Sequence, residues 1–532
     1  MSSPFTGTRH LLRLVLRRDR LILPLWIAGL GGTIAASALA VPSIYDTPGK
    51  IAGYASAVGA SPVSFLMSGR QAGIDTLGGI VANEISQVAQ LGICLMVMFL
   101  VVRHTRAEEE TGRAELVRST VVGRHAATLA GLLYGVSAAL LIGLVTTVAM
   151  LAVDLDPVGS LTYGAGLTLL GLSYVAITLV AVQLSTSARG ALALAGAAIA
   201  VGYLVRGLGA MQDNALVWVS PFGWAQRMDA FGDEQWWPAV PLVLLTAAML
   251  VVAGWLTVRR DFAGGVLPAR PGRPRASRFL STPLGLALRL QRGLVIGWAI
   301  GVTALGLLYG AVIPTIPDLV ASNPDIAEVI GASPDVEDQL IDAFLRYIFL
   351  FMAVVSCGFA VTSVLRLRAE EESGRAELVL ATGVRRVSWM TAAVSVAFAG
   401  ALLLSLLMGL GLAVGYAVGL GEWDRIVEQV GGQVSYLPGV LVVAAFAVAL
   451  FGVWPHRSLL AWAVVAFVAL QVMLGETLRL PDWVDSLSPF THLPEVPVEG
   501  FEPVPALVEI VLAAALVVAG LWAFRRRDIT TG

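Results

Sequence analysis

The sequence predicts an all-α integral membrane protein of twelve transmembrane helices, arranged as two parallel six-helix pseudo-repeats. Three observations carry that prediction. Mean hydropathy is +0.79 and only 14% of residues are charged, a composition far from that of soluble globular domains. Charge-free apolar runs recur along the 532 residues, each near the roughly 20 residues that a helix needs to cross the hydrocarbon core. Finally, the charge-dense phrase RAEEETGRAELV at Arg106 to Val117 returns as RAEEESGRAELV at Arg368 to Val379, with only Thr111 changed to Ser373.

Taken in order, the spans are expected near 21–41, 85–103, 126–152, 162–186, 190–209 and 238–258, then 293–313, 343–365, 388–418, 434–455, 458–475 and 506–524. They are expected to be helical because a lipid-exposed backbone has no other way to satisfy its amides. The N-terminal basic stretch leads into an apolar run of full spanning length, so a retained first helix is expected rather than a cleaved signal. Placing the N-terminus in the cytoplasm and alternating puts most of the 35 basic residues in cytoplasmic segments and most of the 37 acids on the other side. Both termini are then cytoplasmic. Net charge is near zero, which leaves no nucleic-acid footprint. The two cysteines, Cys94 and Cys357, lie in apolar runs and exclude a disulfide framework.

The duplication extends well beyond the phrase. Trp26 matches Trp298, SPF at Ser220 to Phe222 returns at Ser488 to Phe490, and VVAGWLTVRRD echoes VVAGLWAFRRRD at the ends of the sixth and twelfth spans. Six spans per copy is an even number, so both halves enter the membrane from the same side, as in parallel-repeat transporters. The expected domains are residues 1–262 (first half), 263–284 (a Pro-, Gly- and Arg-rich cytoplasmic linker) and 285–532 (second half). The linker's basic residues suit anionic lipid headgroups. Tryptophan- and proline-rich stretches at 210–237 and 476–504 suit short amphipathic or re-entrant helices at the outer interface.

Each phrase falls in the cytoplasmic loop between the second and third spans of its half. Arg106–Glu110 and Glu109–Arg113 have helical i,i+4 spacing. Gly112 and Gly374 permit a sharp turn, after which RAELV can form a short helix. One charged loop is ordinary solvated surface. An identical surface at two pseudo-symmetric positions suits a partner with two-fold symmetry.

On these residues the chain resembles the membrane subunit of an ABC-2 type transporter, in the fused twelve-span form of actinobacterial polyketide-antibiotic exporters. That family carries an E-E-x-x-G-x-x-E-L loop between spans two and three, matched by EEETGRAELV and EEESGRAELV, and an amphipathic N-terminal helix, matched by RHLLRLVLRRDR. The resemblance implies a multi-pass plasma-membrane exporter of hydrophobic or amphipathic compounds, energised by two copies of a separate ABC ATPase that hold the ATP and magnesium. It also implies coupling loops at Glu108, Glu109, Glu110, Gly112, Arg113, Glu115 and Leu116, and at Glu370, Glu371, Glu372, Gly374, Arg375, Glu377 and Leu378. No cofactor, catalytic residue or metal ligand is expected on this chain. It has no G-x-x-x-x-G-K-[ST] loop, and its one lysine is Lys50.

Three other readings compete. A proton-coupled twelve-span carrier would place ionisable groups at mid-membrane. The candidates Glu84, Arg206, Arg346 and Glu509 all fall near span ends, where snorkelling is expected. A membrane enzyme would cluster its histidines, but these are scattered (His10, His104, His125, His456, His492). An ABC exporter of lipid or cell-envelope material differs from the favoured reading only in its cargo.

Overall fold

The structure is a computed structural model that describes residues 3–60, 62–118, 121–260, 264–266, 275–313, 337–420, 423–478 and 481–529. The described residues contain no strand, and twelve helices are long and apolar enough to cross a membrane. All twelve expected spans are present. The chain divides into two compact units, Met1–Pro271 and Gly272–Gly532.

In the first unit, helix α1 (Thr8–Arg18) precedes the first span, α2 (Ile22–Ile44), which contains one π-helical turn at Ile27–Gly31. The break before α2 follows from Pro24, which has no amide hydrogen and whose ring crowds the carbonyl one turn earlier. Short helices α3 (Pro48–Ala60) and α4 (Pro62–Ser68) lead to the second span, α5 (Leu77–Arg103). Two loop helices, α6 (Arg106–Glu110) and α7 (Arg113–Arg118), then connect to α8 (Ala126–Leu151). Spans α9 (Pro157–Leu184) and α10 (Ala188–Gln212), the short α11 (Pro221–Gln226) and the last span α12 (Ala239–Arg259) complete the unit. Side-chain caps mark several starts: Thr76, Asp156 and Ser187 each accept from the amide three residues on, at 3.1, 2.7 and 3.1 Å. The unit is built around α5 and α9, which bury two-thirds of their most apolar stretch, whereas α12 buries 17%. Apolar tails of lipid give helices no hydrophobic reason to associate, so close packing must do it. Ile93, Val97, Ile142, Leu170 and Tyr174 pack in this centre, each essentially buried.

The second unit opens with α13 (Pro283–Val312), capped by Thr282, whose hydroxyl accepts from the Gly285 amide at 3.0 Å. This single helix occupies the place that α1 and α2 fill in the first unit. The duplication puts Ile296 where the first half has Pro24, and no break occurs. Span α14 (Glu337–Glu372) follows, then the loop helix α15 (Arg375–Leu380) and the long α16 (Arg386–Leu420). Helices α17 (Ile426–Ser435) and α18 (Leu437–Val453) form one span, α19 (Ala461–Leu478) the next, and α20 (Asp482–Asp485) precedes the last, α21 (Pro503–Arg526). Here α14 and the α17–α18 span are the most buried. The glycine-rich run in α16 packs on α13. A Cβ at Gly310 would lie 2.0 Å from the Leu412 carbonyl oxygen and one at Gly415 2.3 Å from that of Leu307, so these glycines serve contact within the half.

The described parts of the tryptophan- and proline-rich stretches form short helices. The repeated SPF motif has one local function in both halves: the Ser220 and Ser488 hydroxyls accept from the amides of Phe222 and Phe490, at 3.2 and 3.3 Å. Residues 267–274, part of the expected linker, lie outside the described residues, as do residues 314–336.

Candidate functional site

The repeated phrase folds alike in both units. Gly112 has φ +74° and Gly374 φ +71°, and a Cβ on either would meet nothing within 4 Å. Backbone conformation rather than space is what requires glycine there, because L-residues pay about 1–2 kcal/mol in the left-handed region. The turn sends α7 and α15 away from the spans they follow. On these helices Glu115, Leu116, Glu377 and Leu378 are exposed, with Leu116 at 74% and Leu378 at 72%. An apolar side chain left so open beside a carboxylate, twice over, is a surface fit for a partner.

The central glutamates behave differently. Glu109 accepts two hydrogen bonds from the Arg260 guanidinium, at 2.5 and 2.8 Å, and a third from Arg106 at 2.5 Å. Glu371, only 2% exposed, accepts two from Arg527, at 2.6 and 2.7 Å. Arg260 and Arg527 are the same residue of the duplication, at the end of the last span of each half. The preceding arginines confirm the register: Arg259 stacks on Trp255 at 4.0 Å and Arg526 on Trp522 at 3.8 Å. Each loop is therefore clamped to the last span of its own half by a bidentate carboxylate–guanidinium pair, the strongest form of that contact.

In the first loop Arg106 and Arg113 take partners other than the i,i+4 ones suggested by spacing, whereas in the second the equivalent of Arg106–Glu110, the Arg368–Glu372 pair, forms. Arg106 turns to Glu109 and to the Gly264 carbonyl at 3.0 Å, and Glu110 instead accepts from the Ala188 amide at 2.8 Å, at the start of α10. Arg113 lies 3.8 Å from Glu108, which also pairs with Arg18 of α1. In the second loop Arg375 pairs with Glu370 through two 3.0 Å hydrogen bonds, and Arg368 with Glu372 at 2.6 Å. Tertiary partners, which sequence spacing cannot see, decide among several available glutamates.

Sequence reasoning missed Asp19. This buried carboxylate accepts from Arg103 Nε at 3.1 Å and from the Tyr134 hydroxyl at 3.1 Å, and lies 2.6 Å from His104 Nε2. It thereby joins the end of α1 to α5 and α8. Burial works against its charge, but the hydrogen bonds from His104 and Tyr134 and the charge of Arg103 hold its pKa below the usual carboxylate value. The only hint was one acid inside the basic run RRDR. Arg124 and Arg386, also at matched positions, donate to the backbone at the end of the last span: Arg124 to the Val258 carbonyl at 2.6 Å, Arg386 to that of Arg527 at 2.9 Å.

Snorkelling also needs correction. Arg206 is 0% exposed, donating to the Met67 carbonyl at 2.8 Å with its guanidinium over the Tyr203 ring, and Glu509 is 4% exposed. That carbonyl belongs to α4, which packs against α10. Glu84 accepts from the Tyr54 hydroxyl, and Arg346 pairs with Glu495 at 2.5 Å. Both cysteines are buried free thiols. Among the described residues no group of His, Cys, Asp and Glu could hold a metal ion.

Comparison with known proteins agrees with this architecture. Residues 280–525 match the family described as the multidrug efflux system permease Rv1217c, C-terminal domain. The whole chain is 37% identical over 531 residues to the multidrug efflux system permease protein Rv1217c of Mycobacterium tuberculosis (strain H37Rv), covering 99% of this chain and 96% of that protein. With its twelve apolar helices it is a multi-pass membrane protein and a transport subunit of the ABC-2 permease type. The chain belongs to the Rv1217c family of efflux permeases.

Proposed function

We propose that the chain forms the membrane path of an ATP-driven exporter, moving hydrophobic or amphipathic, drug-like compounds outward across the plasma membrane. Two copies of a separate ATPase, which hold the ATP and magnesium, dock on the cytoplasmic loops, one per half. This chain binds no cofactor. The observation that carries the reading is the pairing of two functions in each loop: an exposed Glu–Leu tip and a glutamate clamped to the last span. Glu115 with Leu116, and Glu377 with Leu378, form the docking surface. Glu109 and Glu371 pass its movement to α12 and α21, and Gly112 and Gly374 set the angle between the two. Such coupling requires that the ATP-bound and ATP-free partner favour different arrangements of the loops. Export of several drugs, as the relative's name states for that protein, fits a path whose recognition rests on apolar surface. The test is Glu115→Arg with Glu377→Arg. ATPase co-purification and substrate-stimulated hydrolysis should both be lost, and their persistence would refute docking at these tips.

A further inference from the structure

The two units differ at one matched place. At the loop end of the first unit lies a cavity of about 540 Å³, walled by α1, the α6–α7 loop, the start of α8 and the ends of α9 and α12. Its lining includes the apolar Leu11, Leu14, Val15, Ala127 and Val182. It also carries Arg18, Arg113, Arg124 and Arg260, with Glu108 and Glu109 as the carboxylates among the described residues. In the second unit the corresponding space, lined by Leu286, Ala287, Leu290 and Glu370 among others, is about 40 Å³.

The duplication explains the difference. The register that matches the two phrases puts Trp389 where the first half has Ala127, and the register of the last spans puts Phe524 opposite Thr257. Ala127 and Thr257 both line the open cavity. Trp389, which lines the small counterpart, stacks on Phe524 with ring centroids 5.7 Å apart. The register of Trp26 with Trp298 likewise replaces Arg18 by Leu290.

We propose that the first half holds an anionic membrane lipid in this cavity and that the second half has lost the site. The volume falls within the range of small-ligand pockets, enough for a headgroup and the first part of an acyl chain. Among the described lining residues the guanidinium groups of Arg18, Arg113 and Arg260 outnumber the carboxylates of Glu108 and Glu109, a balance suited to a phosphate. The wall formed by α1 belongs at the bilayer surface: Leu14 is 56% and Leu16 43% exposed, with Arg13 and Arg17 also exposed, as in helices that lie in the headgroup plane. Glu108, Glu109, Arg113 and Ala114 of the loop line the same cavity, so the lipid touches the coupling loop of one half alone.

The test is native mass spectrometry of the full chain released from nanodiscs of phosphatidylglycerol or phosphatidylcholine. The wild type should retain one phosphatidylglycerol per chain and no phosphatidylcholine. Ala127→Trp should abolish retention, Arg18→Leu should weaken it about fivefold, and Trp389→Ala should add a second, weaker lipid. Thermal melting and monodispersity identify a misfolded Ala127→Trp variant, in which case the Arg18→Leu titration decides. Equal retention of both lipids, none by the wild type, unchanged binding in folded Ala127→Trp or Arg18→Leu, or displacement by inorganic phosphate alone would overturn the assignment. Lipid retention is read without an ATPase, so its failure and that of loop docking are distinguishable.

Discussion

Asp19 shows how one side chain can organise the loop end of a half. Its carboxylate satisfies groups from α5 and α8 while sitting at the end of α1, so Asp19→Asn leaves Arg103, His104 and Tyr134 with a weaker acceptor. Hydrogen bonds to a charged group contribute about 1.5–3 kcal/mol, and the variant is expected to lose about 2 kcal/mol of stability. The pH dependence has a definite sign. Because the folded pKa is depressed from 3.8, the carboxylate's contribution is complete above that value and is lost as pH falls through the folded pKa. The melting difference between wild type and Asp19→Asn should therefore stay constant from pH 7 to about 5 and shrink only below about 4. A difference that vanished by pH 6 would refute the assignment to the Asp19 carboxylate. At the equivalent position the second half has Gln291, which accepts from the Ser363 hydroxyl, so no acid-sensitive carboxylate occurs there.

At the scale of elements, the clamp between loop and last span separates two roles that the repeated phrase seemed to combine. Removing both central carboxylates, Glu109→Ala with Glu371→Ala, should leave the exposed tips free to hold the ATPase. Transport should fall at least about tenfold, a coupling loss of ~1.4 kcal/mol, as the tip no longer moves α12 and α21. Reversing one pair, Glu371→Arg with Arg527→Glu, should restore part of what Glu371→Arg alone removes. A co-purification assay beside a transport assay measures both effects. Loss of ATPase binding in the double alanine variant would assign these glutamates to docking. The α13–α16 contact belongs to the same scale, since its glycines bring two backbones together where any side chain would collide with a carbonyl.

For the whole molecule, the consequential property is sidedness. The excess of arginine at one set of segments argues that both loops and both termini face the cytoplasm. Ser373→Cys provides an exposed probe on the second loop, and the native Cys94 and Cys357 are fully buried and should stay silent. A membrane-impermeant maleimide should label the variant in inside-out vesicles and leave it unlabelled in right-side-out vesicles. The opposite pattern would invert the whole reading and place the lipid pocket in the outer leaflet. The duplication also bears on function at this scale. The loops have kept the same tips and clamps, while the surroundings have diverged from an open cavity to a stacked tryptophan and phenylalanine.

The twelve spans, the matched motifs of the halves and a sharp turn at Gly112 and Gly374 were legible in the amino-acid order. Each of these depends on local properties: the length of an apolar run, the recurrence of a phrase, or the backbone freedom of one residue type. The tertiary structure alone decided which of three adjacent glutamates turns inward, because Arg260 and Arg527 arrive from helices more than a hundred residues away in sequence. It alone buried Arg206 and Glu509, joined Asp19 to its partners, and opened a cavity in one half. Those outcomes depend on which side chains from distant segments meet at one point in space, and a linear chain does not record that meeting.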